Sequence, residues 1–502
     1  MRICVALWVL AMTVAAAPAA QVAGLPSEMW ERVRAVAREA IDLAPTTSPQ
    51  ASAALGLKQC IGLAFRHNAA FRQDQAGLVN ARTGLWVADQ RLFYAASAQA
   101  ERERPVSGEA ETSESASAVA RWEGLGGDAL VLDVGTGTQS SFGDVFTQRP
   151  AISATYDRPI LRGAGLASST WERVRSARVN LAAEGLLFYE SRQSLALSII
   201  QAYFRALLAQ GEIEIAERTV DRAKRFYDIN YMKFTGEELK KPGEEWVTQV
   251  AGIDVDQARL SWERSKQSLI SRQQGFQDAM DTLLLEMGFV AGATPDLTTA
   301  IAYEPQDYDE AELSQTALTN STELARLNLS REDADAARRI ARSREKPDLI
   351  ASVGVTDAGQ TLGGKTLSAG WFTALRVEVP VWDRARGENE NRAERDIQVL
   401  DQRIIATHDR VAQEVQRLVR AADSAKARIT IGEDAVALAR KNREQAQGMY
   451  DEGLSDYLRV LDADARLVEA ERSLLQEKVD YFLTTIRIRR ALGEDITAGL
   501  PG

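Results

Sequence analysis

Apolar positions along this chain follow two rhythms, one of 3.5 residues and one of two. Leu195, Ile199, Ala202, Ala206, Ala209, Ile213, Ala216, Val220, Ala223 and Tyr227 step by four and three. Val411, Val415, Leu418, Ala422, Ala425, Ile429, Gly432, Val436, Ala439, Arg443, Ala446 and Tyr450 do the same. A third run goes from Leu458 through Leu461, Ala465, Val468, Arg472, Leu475, Val479 and Phe482 to Ile486. A 3.5-residue period held this long predicts coiled-coil helices, each keeping one seam against a neighbour. Alanine at many seam positions lets the helices approach closely. A helix of roughly 60 residues reaches about 90 Å, which suits crossing a compartment and not packing inside a compact domain.

Between the helical runs the period is two. Leu349, Ala351, Val353 and Val355 alternate with Ile350, Ser352 and Gly354. Beyond a Gly-rich turn, Leu367, Ala369, Trp371, Thr373, Leu375, Val377 and Val379 share one face, while Ser368, Gly370, Phe372, Ala374, Arg376 and Glu378 share the other. Earlier in the chain, Leu92, Tyr94, Ala96, Ala98 and Ala100 face away from Ser97, Gln99, Glu101 and Glu103, and a second strand returns through Ile152, Ala154 and Tyr156. Strands of about ten residues with this alternation fit a membrane barrel, one face in lipid and one in water. A soluble antiparallel sheet alternates in the same way. Segment 105–148, rich in Ser, Glu and Gly, reads mostly as an exposed loop, with a short strand at Val131-Leu132-Asp133-Val134. Its Gly135-Thr136-Gly137-Thr138 run lacks the spacing and the Lys-Ser/Thr ending of a phosphate cradle.

The same order of elements occurs twice, over 53–290 and 310–495, with 291–309 as a linker and 496–502 as a tail. Arg158-Pro159-Ile160-Leu161-Arg162-Gly163 echoes Val379-Pro380-Val381-Trp382-Asp383-Arg384. Ala258-Arg259-Leu260 echoes Ala465-Arg466-Leu467, and Leu285-Glu286-Met287-Gly288 echoes Arg490-Ala491-Leu492-Gly493. An internal duplication fixes architecture before any single element does.

Residues 1–19 read as a secretory signal: Arg2, an apolar run from Val5 to Val14, and Ala17-Pro18-Ala19 as an A-x-A cleavage site. Residues 20–52 follow as an N-terminal periplasmic extension. No apolar run is long enough for a spanning helix, so a membrane segment here would have to be a β-barrel. Net charge is −11 over 502 residues, which argues against a nucleic-acid partner. With Cys4 in the signal, Cys60 is alone in the mature chain and has no partner for an intramolecular disulfide. The two histidines, His67 and His408, lie far apart in sequence. No catalytic arrangement, metal-ligand cluster or nucleotide loop stands out, so no enzyme, cofactor or metal site is expected. A periplasmic coiled-coil structural protein is the remaining rival; it accounts for the heptads and leaves the strands unexplained.

Taken together, the signal, the duplicated halves, the strand pairs ending in Pro and the heptad helices resemble the outer-membrane efflux protein family, the TolC-like channel tunnels, over about 53–495. Pro159-Ile160-Leu161-Arg162-Gly163-Ala164-Gly165 looks like the family's strand-to-helix element, as does Val379-Pro380-Val381-Trp382-Asp383. Tyr450-x-x-Gly453 followed by Val460-Leu461-Asp462-Ala463 is similar to its helix-turn-helix tip. The resemblance implies an α+β membrane protein working as a homotrimer, each protomer giving four strands to a shared barrel in outer-membrane lipid. Its helices would form a hollow α-helical barrel in the periplasm, meeting an adaptor protein that links it to an inner-membrane transporter. Export of small molecules is the implied function, with type I protein secretion as the alternative.

By the same resemblance, Asp254 and Asp462 are the candidate pore constriction, with Arg459 standing where relatives often carry another acid. Ser455 sits where a tip arginine is common. Gly236, Tyr450, Gly453 and Ser455 are the candidate tip and adaptor contacts. Gly236 precedes Asp254 by 18 positions and Gly453 precedes Arg459 by 6, a difference of 12 that places an insertion within 237–253. Under threefold symmetry one carboxylate per copy becomes a ring, and such rings select cations.

Overall fold

A computed structural model describes residues 54–103, 111–141, 144–235, 252–289, 296–299, 303–357, 361–362, 365–366, 370–379, 384–452, 454–455 and 457–498. The signal and extension readings (1–52), Gly236, most of the 237–253 insertion, Pro380-Val381-Trp382-Asp383 and Gly453 lie outside the described residues. In chain order the elements are β1 (Ala54–Leu55), α1 (Leu57–His67), α2 (Ala69–Ala88), β2 (Leu92–Glu103), β3 (Glu111–Glu123), β4 (Ala129–Ser141), β5 (Asp144–Pro159), α3 (Ser169–Thr235) and α4 (Gly252–Glu286). There follow β6 (Asp296–Leu297), α5 (Glu310–Asn320), α6 (Thr322–Arg344), β7 (Asp348–Asp357), β8 (Thr361–Leu362), β9 (Lys365–Thr366), β10 (Gly370–Glu378), α7 (Arg384–Asp451) and α8 (Tyr457–Ala491). Two compact units are formed, one including Gly77–Leu186 and Glu323–Ala406, the other including Leu187–Thr322 and residues 407–498.

The first unit holds an antiparallel sheet of six strands in the order β10-β7-β5-β4-β3-β2. This corrects two expectations. Segment 105–148 is not mostly loop, because it carries β3, β4 and the start of β5; and among the described residues six strands join one sheet, where four were expected. The Ser- and Gly-rich composition concealed the alternation Ala116, Ala118, Ala120, Trp122, in which alanine is a weak apolar marker. The register carries one apolar row across every strand: Trp371, Val355, Ala154, Leu132, Ala120 and Tyr94 are successive partners. The next row is Thr373, Val353, Tyr156, Leu130, Trp122 and Leu92. The opposite face is polar, where Ser97 and Ser117 hydroxyls pair at 2.8 Å and Ser352 donates to Asp157 at 2.6 Å. Trp371 and Leu375 remain 79% and 65% exposed, so among the described residues nothing covers this part of the apolar face.

The second unit is helical around a core of Ile199, Ile200, Tyr203, Phe204, Leu283, Met287 and Val479. Tyr203 Oη, fully buried, lies 2.9 Å from Thr299 Oγ1 and accepts from Thr299 N at 3.1 Å. Cys60 is buried in the same core, and burial pushes its thiol up to about 12, which makes it an inert packing group. The α7 stripe predicted by the heptads is covered: Val415, Leu418, Ala422, Ala425 and Ile429 are all buried. Two matching helix stops close the unit. Gly288 and Gly493 both take positive φ, 84° and 73°, and their successors donate back five residues, Phe289 to Leu284 and Glu494 to Arg489. At each stop an asparagine docks, Asn68 donating to Glu286 O and Asn320 to Leu492 O.

On α8 the structure departs from the sequence reading near the helix start. Leu458, Leu461 and Ala465 are exposed, whereas Tyr457, Val460 and Leu467 are buried. Toward its end both flanks are covered, Val479 and Ile486 in one core and Tyr481 and Ile488 in another. Such a helix has two apolar flanks, and the heptad register read from the sequence followed the uncovered one at the start of α8.

Candidate functional site: the helix ends around Tyr450

Four helix ends meet in the second unit, the C-termini of α3 and α7 and the N-termini of α4 and α8. An apolar knot of Phe226, Ala258, Ala446, Tyr457 and Val460 joins them, with Tyr450 packed alongside. The Phe226 ring stacks on Tyr457 at 4.7 Å and tilts against Tyr450 at 5.1 Å. Tyr450 donates its hydroxyl to the side-chain carbonyl of Asn230, and Asn230, fully buried, donates to Phe226 O at 2.8 Å. Lys233 places its ammonium 5.7 Å from the Tyr450 ring centre. Each polar group in this knot has a partner, as burial requires. Burial pushes the Tyr457 phenol up, against an opposing hydrogen bond with Ser261.

Outside the knot sit the charges. Asp464 lies between two arginines, 2.8 Å from Arg222 Nε and 3.8 Å from Arg443 Nε, all three half-buried. One carboxylate on α8 therefore ties α3 to α7 by charge. A second clamp forms farther along the bundle, where Glu212 meets Arg472 at 2.7 Å and Arg272 at 2.9 Å. Sequence reasoning singled out none of these clamps, although the cue was present. Arg443 and Arg472 both fall at heptad seam positions, and a guanidinium in a seam requires a carboxylate facing it.

Of the residues expected from sequence, Tyr450 is central to the knot. Asp254 stands in the first turn of α4, half-buried. Asp462 lies on the opening turns of α8, exposed, and pairs with Arg466 one turn on at 2.9 Å. Arg459 is exposed on the same helix, and Ser455 precedes it in the turn. Gly236 and Gly453 cannot be placed, being outside the described residues. Among the described residues no acidic, His or Cys cluster could hold a metal ion, and no helix is long and apolar enough to cross a membrane.

A family model described as outer membrane efflux protein matches residues 313–494. TolC of Vibrio cholerae is 22% identical, the alignment covering 66% of this chain and 76% of TolC. The cation efflux protein CusC of Escherichia coli is 24% identical over 60% of this chain and 64% of its own length, so the chain spans less than two thirds of that relative. The toluene efflux pump outer membrane protein TtgF of Pseudomonas putida is 27% identical over 69% of this chain and 71% of TtgF. A solved structure of CusC superposes with a TM-score of 0.66 at 18% identity, covering 88% of this chain and 92% of that one. The VceC channel of Vibrio cholerae gives 0.63 at 17% identity, covering 88% and 96%. At such identity these two likenesses speak for the fold.

Proposed function

We propose that the chain is a member of the outer membrane efflux protein family, whose model matches residues 313–494, and that copies of it join as a trimer into one conduit, through which an envelope-spanning pump expels its cargo. The protein resides in the outer membrane with its long helices in the periplasm, and the family is one of channels, not enzymes. The observation that carries the assembly is the sheet: a continuous apolar face ending in two edges, β2 and β10, that have no strand partner among the described residues. Unpaired backbone groups cannot be left in lipid, and six strands are too few to close, since membrane barrels begin at eight. The two edge strands run in opposite directions, so β10 of one copy meets β2 of the next in an antiparallel pair, and the ring closes head to tail. Monodisperse mass in detergent tests this. Light scattering with the detergent subtracted should return three chains, retained in the membrane pellet through a high-salt wash; a single chain, or release by salt, contradicts it.

The closing element of this conduit is the helix-end region. Asp254 and Asp462, two carboxylates from each copy, line the constriction, with Arg459 and the Arg466 partner of Asp462 tempering their charge. Tyr450 and Ser455 belong to the tip that meets the adaptor protein, which in turn connects to the inner-membrane transporter; Gly236 and Gly453, read from the sequence as part of the same contact, lie outside the described residues. Support comes from the exposure of Asp462 and the place of both aspartates in the opening turns of their helices. Replacing both by Ala should leave the trimer intact, raise conductance and lower cation preference in planar bilayers. Unchanged conductance and reversal potential would move the constriction elsewhere.

A further inference from the structure

We infer that the hairpin β3–β4 crosses the membrane as part of the barrel wall, so that the conduit is closed by eighteen strands, three copies of a six-stranded sheet. This rests on the trimeric outer-membrane reading above and deepens it, because it assigns a partner to every strand edge and sets the width of the bore.

The first observation is the register. β3 pairs along its whole length with β2, and β4 with both β3 and β5, so the hairpin separates β2 from β5 instead of lying outside their pairing. The second is amphipathicity. Leu132 and Val134 are 45% and 44% exposed and stand in the same rows as Tyr94, Ile152 and Val355, while Asp133 between them turns to the face that carries Ser97 and Ser117. A surface loop has no reason to continue the apolar face of its neighbours; a wall strand must.

The third is the turn that joins the two strands, which is built into the fold. Gly124 N donates to Asp128 O at 2.7 Å, and Asp128 and Ala129 are buried. Ser168, just ahead of α3, donates its hydroxyl to Leu125 O at 2.5 Å, and Gly165 N donates to Gly126 O at 2.9 Å. Gly127 has φ 88°, and a side chain there would meet Gly163 O at 2.5 Å. At the end of β3, Glu123 holds Arg173 of α3 at 3.3 Å. The hairpin is therefore fastened at the end of the sheet from which the long helix departs, as a strand pair entering the membrane from that side would be.

Width follows from strand number. With strands about 4.8 Å apart and tilted about 40°, eighteen give a backbone diameter of about 36 Å, against about 24 Å for the twelve that four per copy would supply. A bore of that order is an open aqueous channel. Size selection then falls to the helix ends and not to the outer-membrane segment.

Single spin labels at Leu132, Asp133 and Leu375, each in the full trimer reconstituted into phospholipid vesicles, read this directly through collision with oxygen and with a water-soluble nickel chelate. The inference expects Leu132 and Leu375 in lipid and Asp133 in water. Leu375 in lipid with Leu132 in water would overturn the eighteen-stranded wall and leave the conduit standing. Leu375 in water would overturn both. A second measurement guards against local disturbance by a label: the cysteine pairs Tyr94→Cys with Ala120→Cys, and Leu132→Cys with Ala154→Cys, should both cross-link on oxidation within one chain. Absence of both cross-links in a folded trimer contradicts the inference.

Discussion

Leu375→Arg should abolish the trimer, while Ala374→Arg, one residue away on the same strand, should leave it largely intact. Both side chains are exposed in the single chain, so burial does not distinguish them. The register does. Leu375 stands opposite Ala351 on the apolar face and Ala374 opposite Ser352 on the polar one. An arginine at mid-membrane depth costs about 2–4 kcal/mol on the lipid face of a barrel, and a symmetric trimer incurs it in every copy. On the other face the guanidinium stays in water. Phe372 shares the polar face but is a poorer comparison, because its ring packs over Gly354, where a Cβ would stand 2.4 Å from it. Heat-resistant trimer on unboiled gels is the readout. Equal loss in both variants would mean that the two faces are misassigned.

The second large effect is expected at Asp464. Its removal leaves Arg222 and Arg443, both largely shielded from solvent, without their shared carboxylate. Breaking one side of a fully buried pair costs about 3–5 kcal/mol; partial exposure screens this, and about 1–3 kcal/mol is the expected loss for Asp464→Ala. Amide hydrogen exchange should rise around Arg222–Asn230 and Arg443–Tyr450, the helix ends that the clamp ties together. Asp462→Ala, two positions earlier, removes only an exposed pair with Arg466, and local exchange should hardly change. Similar protection in both variants would show that the ends are held by the aromatic knot alone.

The contrast between these two aspartates shows what the sequence could convey. Strand alternation at 349–355 and 371–377 and the α7 seam from Val415 to Ile429 were legible, because each is a local period imposed by one buried or lipid-facing side. Strands β3 and β4 were not, since Ala, Ser, Thr and Gly mark an apolar face far more faintly than Leu or Trp, and the segment resembled loop composition. At the start of α8, Leu458 and Leu461 formed the visible stripe while Tyr457 and Val460 formed the buried one; periodicity finds an apolar flank but does not say which neighbour covers it. The charged clamps were illegible for another reason. Asp464 pairs with Arg222, which is remote in sequence, and with Arg443 on the preceding helix, and only the fold brings the three together. Tyr450 carries a motif that singles it out in the sequence, but its partner Asn230 carries none of its own.

Current through the purified wild-type protein in a planar bilayer tests the central claim most directly. A trimeric conduit spanning the outer membrane should insert from detergent in discrete, uniform steps, each a long-lived open channel with a modest preference for cations. Protein that is folded and trimeric by mass yet gives no stepwise conductance at any applied potential would contradict the account.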